Sequence, residues 1–121
     1  MVKRRDVIDT KKKISIICNA ADERKAEDII VMEMKDKSSM GDYFIIMSAP
    51  STVRAKAIVD NIETAMEAEG LRTLHKEGVA DGVWVLMDYG EVLVHVFYHE
   101  MRDFYALEKL WGDAPRKGYQ H

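Results

Sequence analysis

A chain of 121 residues carries 18 Lys and Arg against 21 Asp and Glu, a formal net charge of −3 with histidine neutral. That length fits one domain with a single core, the mildly acidic balance argues against a surface built to grip phosphate backbones, and the lone Cys18 excludes an internal disulfide and a multi-cysteine metal site. A single cysteine suits a reducing compartment, no apolar run approaches the ~20 residues that cross a bilayer, and the charged start resembles neither a signal nor a transit peptide, so the sequence predicts a soluble, cytoplasmic protein.

Residues 1–9 are charged and are expected to form a flexible N-terminus. The basic spots Lys3-Arg4-Arg5 and Lys11-Lys12-Lys13 read as solvated faces, offset by Asp6 and Asp9. From Thr10 to Arg24 the spacing predicts a helix, with Ile14, Ile17, Cys18 and Ala21 on one stripe. Asp28 to Met34 is β-branched enough to predict a strand. Asp36 to Asp42 reads as a turn-forming loop, and its two aspartates are better explained by bonds to loop amides than by a metal. Tyr43 to Met47 is apolar throughout, as a strand covered on both faces would be. Ser51 caps a second helix whose buried stripe is Ala55, Ile58, Val59, Ile62, Ala65 and Met66, and Gly70 closes it. Leu71 to His75 is a weaker third strand, followed by a loop to Gly82.

Two apolar runs, Val83 to Asp88 and Glu91 to Phe97, then flank Tyr89-Gly90, which predicts a hairpin. With Tyr89-Gly90 as a two-residue loop, Leu86 faces Leu93 and Trp84 faces His95. Alternation gathers Trp84, Leu86, Leu93, His95 and Phe97 on one face, and Val83, Val85, Met87, Val92, Val94 and Val96 on the other. The all-aliphatic face is the core face; the face with a tryptophan and a histidine is the one available for function. A three-residue loop would mix the two sets. Met101, Phe104, Leu107 and Trp111 recur at helical steps, while Arg102, Tyr105 and Glu108 cluster on another side of the same helix, which Gly112 and Pro115 end. Residues 116–121 read as a flexible polar tail. The order α-β-β-α-β-β-β-α predicts an α+β domain over residues 10–115 with a mixed five-stranded sheet and helices packed on it.

No glycine-rich phosphate loop or His-Glu-x-x-His helix is present. Cys18 reads as a buried small hydrophobe. His95 is the most interesting titratable group: a hydrogen-bonded structural histidine first, a contact on a partner surface second, a catalytic base last. Its candidate partners are Asp88, Arg102 and Glu108, whereas His75 and His99 read as surface residues. Tyr89, at a hairpin tip, reads as an exposed interface anchor. These features describe an interaction module without catalytic residues, metal or cofactor.

An ordered set of segments resembles the ribosomal silencing factor (Iojap-like) family. It comprises Asp36-Lys37-Ser38-Ser39 with Asp42-Tyr43-Phe44, Glu77-Gly78, Trp84 with Asp88-Tyr89-Gly90, Val94-His95-Val96-Phe97, Arg102, Phe104-Tyr105, Leu107-Glu108 and Leu110-Trp111. The resemblance implies a non-enzymatic protein that binds the large ribosomal subunit through ribosomal protein L-fourteen and sterically blocks joining of the small subunit. It also implies a link to large-subunit biogenesis and to homodimers; from the charge balance and the lack of a spanning apolar run, no direct sequence-specific nucleic-acid binding and no membrane association are expected. The implied fold looks like a diverged nucleotidyltransferase whose catalytic Gly-Ser and Asp-x-Asp are not found in the expected places; a diverged nucleotidyltransferase-like enzyme is the alternative. The family pattern places the partner surface at Trp84, Asp88, Tyr89, His95, Phe97, Arg102, Tyr105 and Glu108. The turn Ala49-Pro50-Ser51 departs from the family's Gly-Thr-Ser type.

Overall fold

A computed structural model describes residues 9–34 and 42–99 and the backbone of 116–118. The first helix, α1, spans Thr10–Glu23, and its N-cap Asp9 accepts the Lys11 amide at 3.3 Å. The long helix, α2, spans Thr52–Ala68, and the Ser51 hydroxyl accepts the Arg54 amide at 3.0 Å. That is the N-cap expected, and it satisfies one of the amides that a first helical turn leaves without an intrahelical partner. Ala55, Ile58, Val59, Ile62 and Met66 form the buried stripe of α2, as the spacing predicts, and Ile17, Cys18, Ala20 and Ala21 that of α1.

Both helices end in the same backbone motif on different residues. After α2, the Gly70 amide donates to the Glu67 carbonyl and the Leu71 amide to the Met66 carbonyl, with Gly70 at φ +80°. After α1, the Lys25 amide donates to Asp22 and the Ala26 amide to Ala21, with Lys25 at φ +65°. The left-handed position suits glycine and costs an L-residue about 1–2 kcal/mol. Lys25 is exposed, so Lys25→Gly should raise stability by about 1 kcal/mol once glycine's greater unfolded freedom is discounted. An unchanged urea midpoint would contradict this.

The strands are β1 (Glu27–Glu33), β2 (Tyr43–Ala49), β3 (His75–Glu77), β4 (Trp84–Asp88), β5 (Val92–Tyr98) and β6 (Arg116–Gly118). They form one sheet in the order β3-β4-β5-β2-β1-β6. Five of them make the mixed sheet that the sequence predicts: β2 and β5 are parallel at its centre, and the other pairs are antiparallel. The sixth is a correction. Arg116–Gly118, expected within a flexible tail, pairs antiparallel with β1. β3 also lies later than expected, beginning at His75 rather than Leu71. The expected helix around Met101 to Trp111 and the loop at 36–41 lie outside the described residues.

α1 and α2 pack on one face, against Val85, Met87, Val92, Val94 and Val96 of the hairpin together with Ile45 and Met47. The opposite face gathers Met32, Met34, Phe44, Ile46, Leu93 and Phe97, all buried, with Trp84 and Leu86 partly so. β2 and β5 are thus apolar on both sides, which is why their sequences show runs rather than alternation. Among the described residues no helix is long and apolar enough to cross a membrane.

Candidate partner surface on the aromatic face

The hairpin keeps its predicted faces but not its predicted partners. Trp84 pairs with Phe97, Leu86 with His95 and Asp88 with Leu93. The Tyr89 amide donates to the Val92 carbonyl at 2.9 Å, so the loop is Gly90-Glu91, one residue later than expected. Gly90 has φ +89°, and a glycine at the first loop position is what the tight primed turns favour. The pairing shifts by two residues, an even number, so no side chain changes face.

The consequence falls on Tyr89. It is not an exposed tip residue: it is the last rung of the ladder, two residues beyond Met87, on the aliphatic side, with 4% of its surface exposed. Its hydroxyl is buried with no hydrogen-bond partner among the described residues. Burial raises its pKa, and Glu63 and Glu67 of α2 add to the effect. The Gly-X order of the loop was the signal in the sequence that places Tyr89 inside.

His95 is also interior, 4% exposed. Of its three expected partners, Asp88 accepts the Gly90 amide, and Arg102 and Glu108 lie outside the described residues. Instead the Trp84 indole Nε1 donates to His95 Nδ1 at 3.1 Å. Accepting there requires a neutral imidazole with its proton on Nε2. That Nε2 is buried without a hydrogen-bond partner among the described residues, and burial lowers the imidazole pKa to about 4. Rings surround it: Phe44 at 4.8 Å between centroids, Trp84 at 6.1 Å and Phe97 at 6.3 Å. Trp84 stacks in turn on Phe97 at 5.1 Å. Phe44, which alternation within the hairpin could not reach, enters because β2 is the other neighbour of β5, pairing Phe44 with Leu93.

Of the eight expected surface residues, the structure brings Trp84, His95 and Phe97 together in this cluster. Phe97 is 1% exposed, whereas Trp84 and Asp88 are partly exposed on β4. Asp88 lies further along the same face, where its Oδ1 accepts the Gly90 amide at 2.8 Å and holds the turn. Arg102, Tyr105 and Glu108 lie outside the described residues.

Sequence reasoning missed a latch between the hairpin and α1. Lys13 Nζ meets Glu91 Oε1 at 2.9 Å and the Tyr89 carbonyl at 3.3 Å, while the Thr10 hydroxyl donates to Glu91 Oε2 at 3.0 Å. Burial pushes the Glu91 carboxyl up, but hydrogen bonds from Lys13, its own backbone and Thr10 outweigh it and hold it below the usual range. Nothing in the local sequence pairs residues so far apart.

The chemistry available elsewhere is sparse. Cys18 is buried, which pushes its thiol up to about 12 and keeps it a hydrophobe. Among the described residues no group of three or more His, Cys, Asp or Glu is placed to hold a metal. An open cleft of about 490 Å³ between α1 and α2, lined by Glu23, Arg24, Lys25, Arg54, Asp60 and Asn61, lies on the helical side, away from the aromatic cluster.

Residues 7–121 match the sequence profile described as ribosomal silencing factor during starvation. The chain belongs to the ribosomal silencing factor family. A member from Bacillus subtilis is 40% identical over 102 residues, covering 84% of this chain and 86% of its own. A crystal structure of a Chromobacterium violaceum protein superposes with a TM-score of 0.84 at 28% identity, covering 87% of this chain and 88% of that one. A mouse relative, "Mitochondrial assembly of ribosomal large subunit protein 1", is 29% identical over 109 residues, and this chain spans 48% of its length. The α+β fold is thus shared with the Chromobacterium violaceum structure.

Proposed function

We propose that this chain is a cytoplasmic translational repressor that occupies the large ribosomal subunit through ribosomal protein L-fourteen and sterically blocks joining of the small subunit, with a linked role in large-subunit biogenesis. Supporting the ribosomal reading are the family it belongs to and the name of the mouse relative. The observation that carries the surface is Trp84. It is a partly exposed indole on an inner strand, stacked on buried Phe97 and hydrogen-bonded to buried His95. An aromatic ring fixed in orientation before contact is the kind of group that dominates interfaces of standard size, about 800 Å² per partner. Blocking then needs only that the covered surface coincide with a contact between subunits, with no chemical step.

The proposed surface is Trp84 and Asp88, with Arg102, Tyr105 and Glu108 of the following segment; His95 and Phe97 contribute to it from beneath, whereas Tyr89, on the helix-covered face, does not belong to it. Trp84→Ala should weaken binding to purified large subunits by about 2 kcal/mol, a roughly thirtyfold change. Co-sedimentation with large subunits and a subunit-joining assay test this together. A folded Trp84→Ala variant that binds as tightly as the parent refutes the surface, and unimpeded joining on saturated large subunits refutes the mechanism. A homodimer of the free chain belongs to the same proposal, and sedimentation as a monomer at micromolar concentration would contradict it.

A further inference from the structure

We infer that His95 is a positioning residue: its Nδ1 accepts the Trp84 indole N–H and sets the orientation in which that ring is offered to a protein partner. This rests on Trp84 being a contact residue, as proposed above. The geometry carries it. Trp84 lies opposite Phe97, not opposite His95, so the indole leans diagonally along β5 to make its 3.1 Å bond. Stacking on Phe97, with 25° between the ring planes, restrains tilt. It does not select which edge of the indole faces inward, since a flipped indole presents a similar area to a ring beneath it. The hydrogen bond does distinguish the two edges, because the indole has a single donor.

The arrangement also has a cost that packing alone does not explain. With Nδ1 accepting, Nε2 must carry the proton, and it is buried with no partner among the described residues. A buried donor left without an acceptor is unfavourable. Its neighbours Phe44, Leu93 and Phe97 are apolar, an environment that an aliphatic side chain of similar volume would fill without that cost. A histidine kept here at the expense of stability is accounted for by its one hydrogen bond, which reaches outward to Trp84.

Three replacements separate this role from simple core filling. His95→Leu keeps the volume and removes the acceptor. His95→Asn places an amide oxygen near the position of Nδ1, and His95→Gln places it near Nε2 instead. The first readout is hydrogen exchange of the Trp84 indole N–H in the free, full chain by NMR, the resonance being assigned by its loss in Trp84→Phe. The second is binding to large ribosomal subunits. His95→Leu and His95→Gln should speed exchange and weaken binding about tenfold, while His95→Asn should stay within about threefold of the parent in both. Should His95→Leu fail to fold, the contrast between Asn and Gln carries the test alone. Indole exchange in the Gln variant matching that in the Asn variant overturns the positioning role, whatever the binding. Faster exchange with unchanged binding, while Trp84→Ala is weakened, overturns it as well. Unchanged binding in Trp84→Ala itself overturns instead the reading of Trp84 as a contact.

Discussion

Gly78→Ala should cost about 3–5 kcal/mol, a large fraction of the stability of a domain this size. Gly78 sits at φ +79°, and a Cβ built there would lie 2.0 Å from the Trp84 carbonyl oxygen and 3.1 Å from its carbonyl carbon. The obstruction is main chain, in a strand paired on both sides, so no rotamer change can relieve it. Either the turn that returns Gly82 N to the Gly78 carbonyl at 3.0 Å must open, or β4 must move and carry Trp84 with it. Gly70→Ala is the internal control. It has the same sign of φ, +80°, but no heavy atom within 4 Å of an added Cβ, so it should cost only the left-handed penalty of about 1–2 kcal/mol. Equal losses in the two variants, measured by urea unfolding, would show that the close approach at Gly78 contributes nothing. The Glu77-Gly78 pair in the family pattern thus has a physical reading: only glycine lets the loop pass over the backbone of the strand that bears Trp84.

Acid should destabilise the fold well before its carboxylates titrate. His95 is held near a pKa of about 4 against an ordinary 6.5. Below pH 6.5 the unfolded chain takes up a proton that the folded chain refuses. Stability is therefore fully present above pH 6.5 and is lost as pH falls from there toward 4, by about 2 kcal/mol between pH 7 and pH 5 and about 3 kcal/mol in all. Glu91, whose carboxyl is held below 4.5, acts in the same direction but only at lower pH, so the interval from 6.5 to 5 belongs chiefly to the histidine. Urea midpoints of parent and His95→Leu at pH 7 and pH 5 read this directly. The parent should lose stability and the variant should lose markedly less. Parallel losses would place the acid sensitivity elsewhere.

Much of this was legible in the sequence because it depends on period. The buried stripe of α2, the Ser51 cap and the apolar runs of β2 and β5 are local signals. The sorting of Trp84, His95 and Phe97 away from Val85, Val94 and Val96 follows from alternation alone, and it survived a wrong choice of loop residues because the shift was even. What could not be read was set by long-range pairing or by single-residue geometry. Tyr89 was misjudged as exposed because a loop placed one residue early puts a core rung at the tip. Phe44 joins His95 only through the β2–β5 pairing. β6 has three residues, too few for a periodic signal, and its place is set by β1. The Lys13–Glu91 latch depends on α1 crossing near the hairpin. The proposed partner surface was drawn from family resemblance, and burial of Tyr89, His95 and Phe97 leaves Trp84 and Asp88 as its partly exposed members among the described residues.

The parallel seam at the centre of the sheet has a consequence for how the molecule is made. β2 and β5 come from opposite halves of the chain, and ladders between distant residues form slowly because the intervening loop must close first. On a chain still being synthesised, β1 and β2 can zip together as soon as they emerge, but one flank of β2, with Ile45, Ile46 and Met47 along it, has no mate until β5 is complete. During that interval the nascent protein carries a bare, greasy strand edge, which is the state most open to pairing with the wrong neighbour.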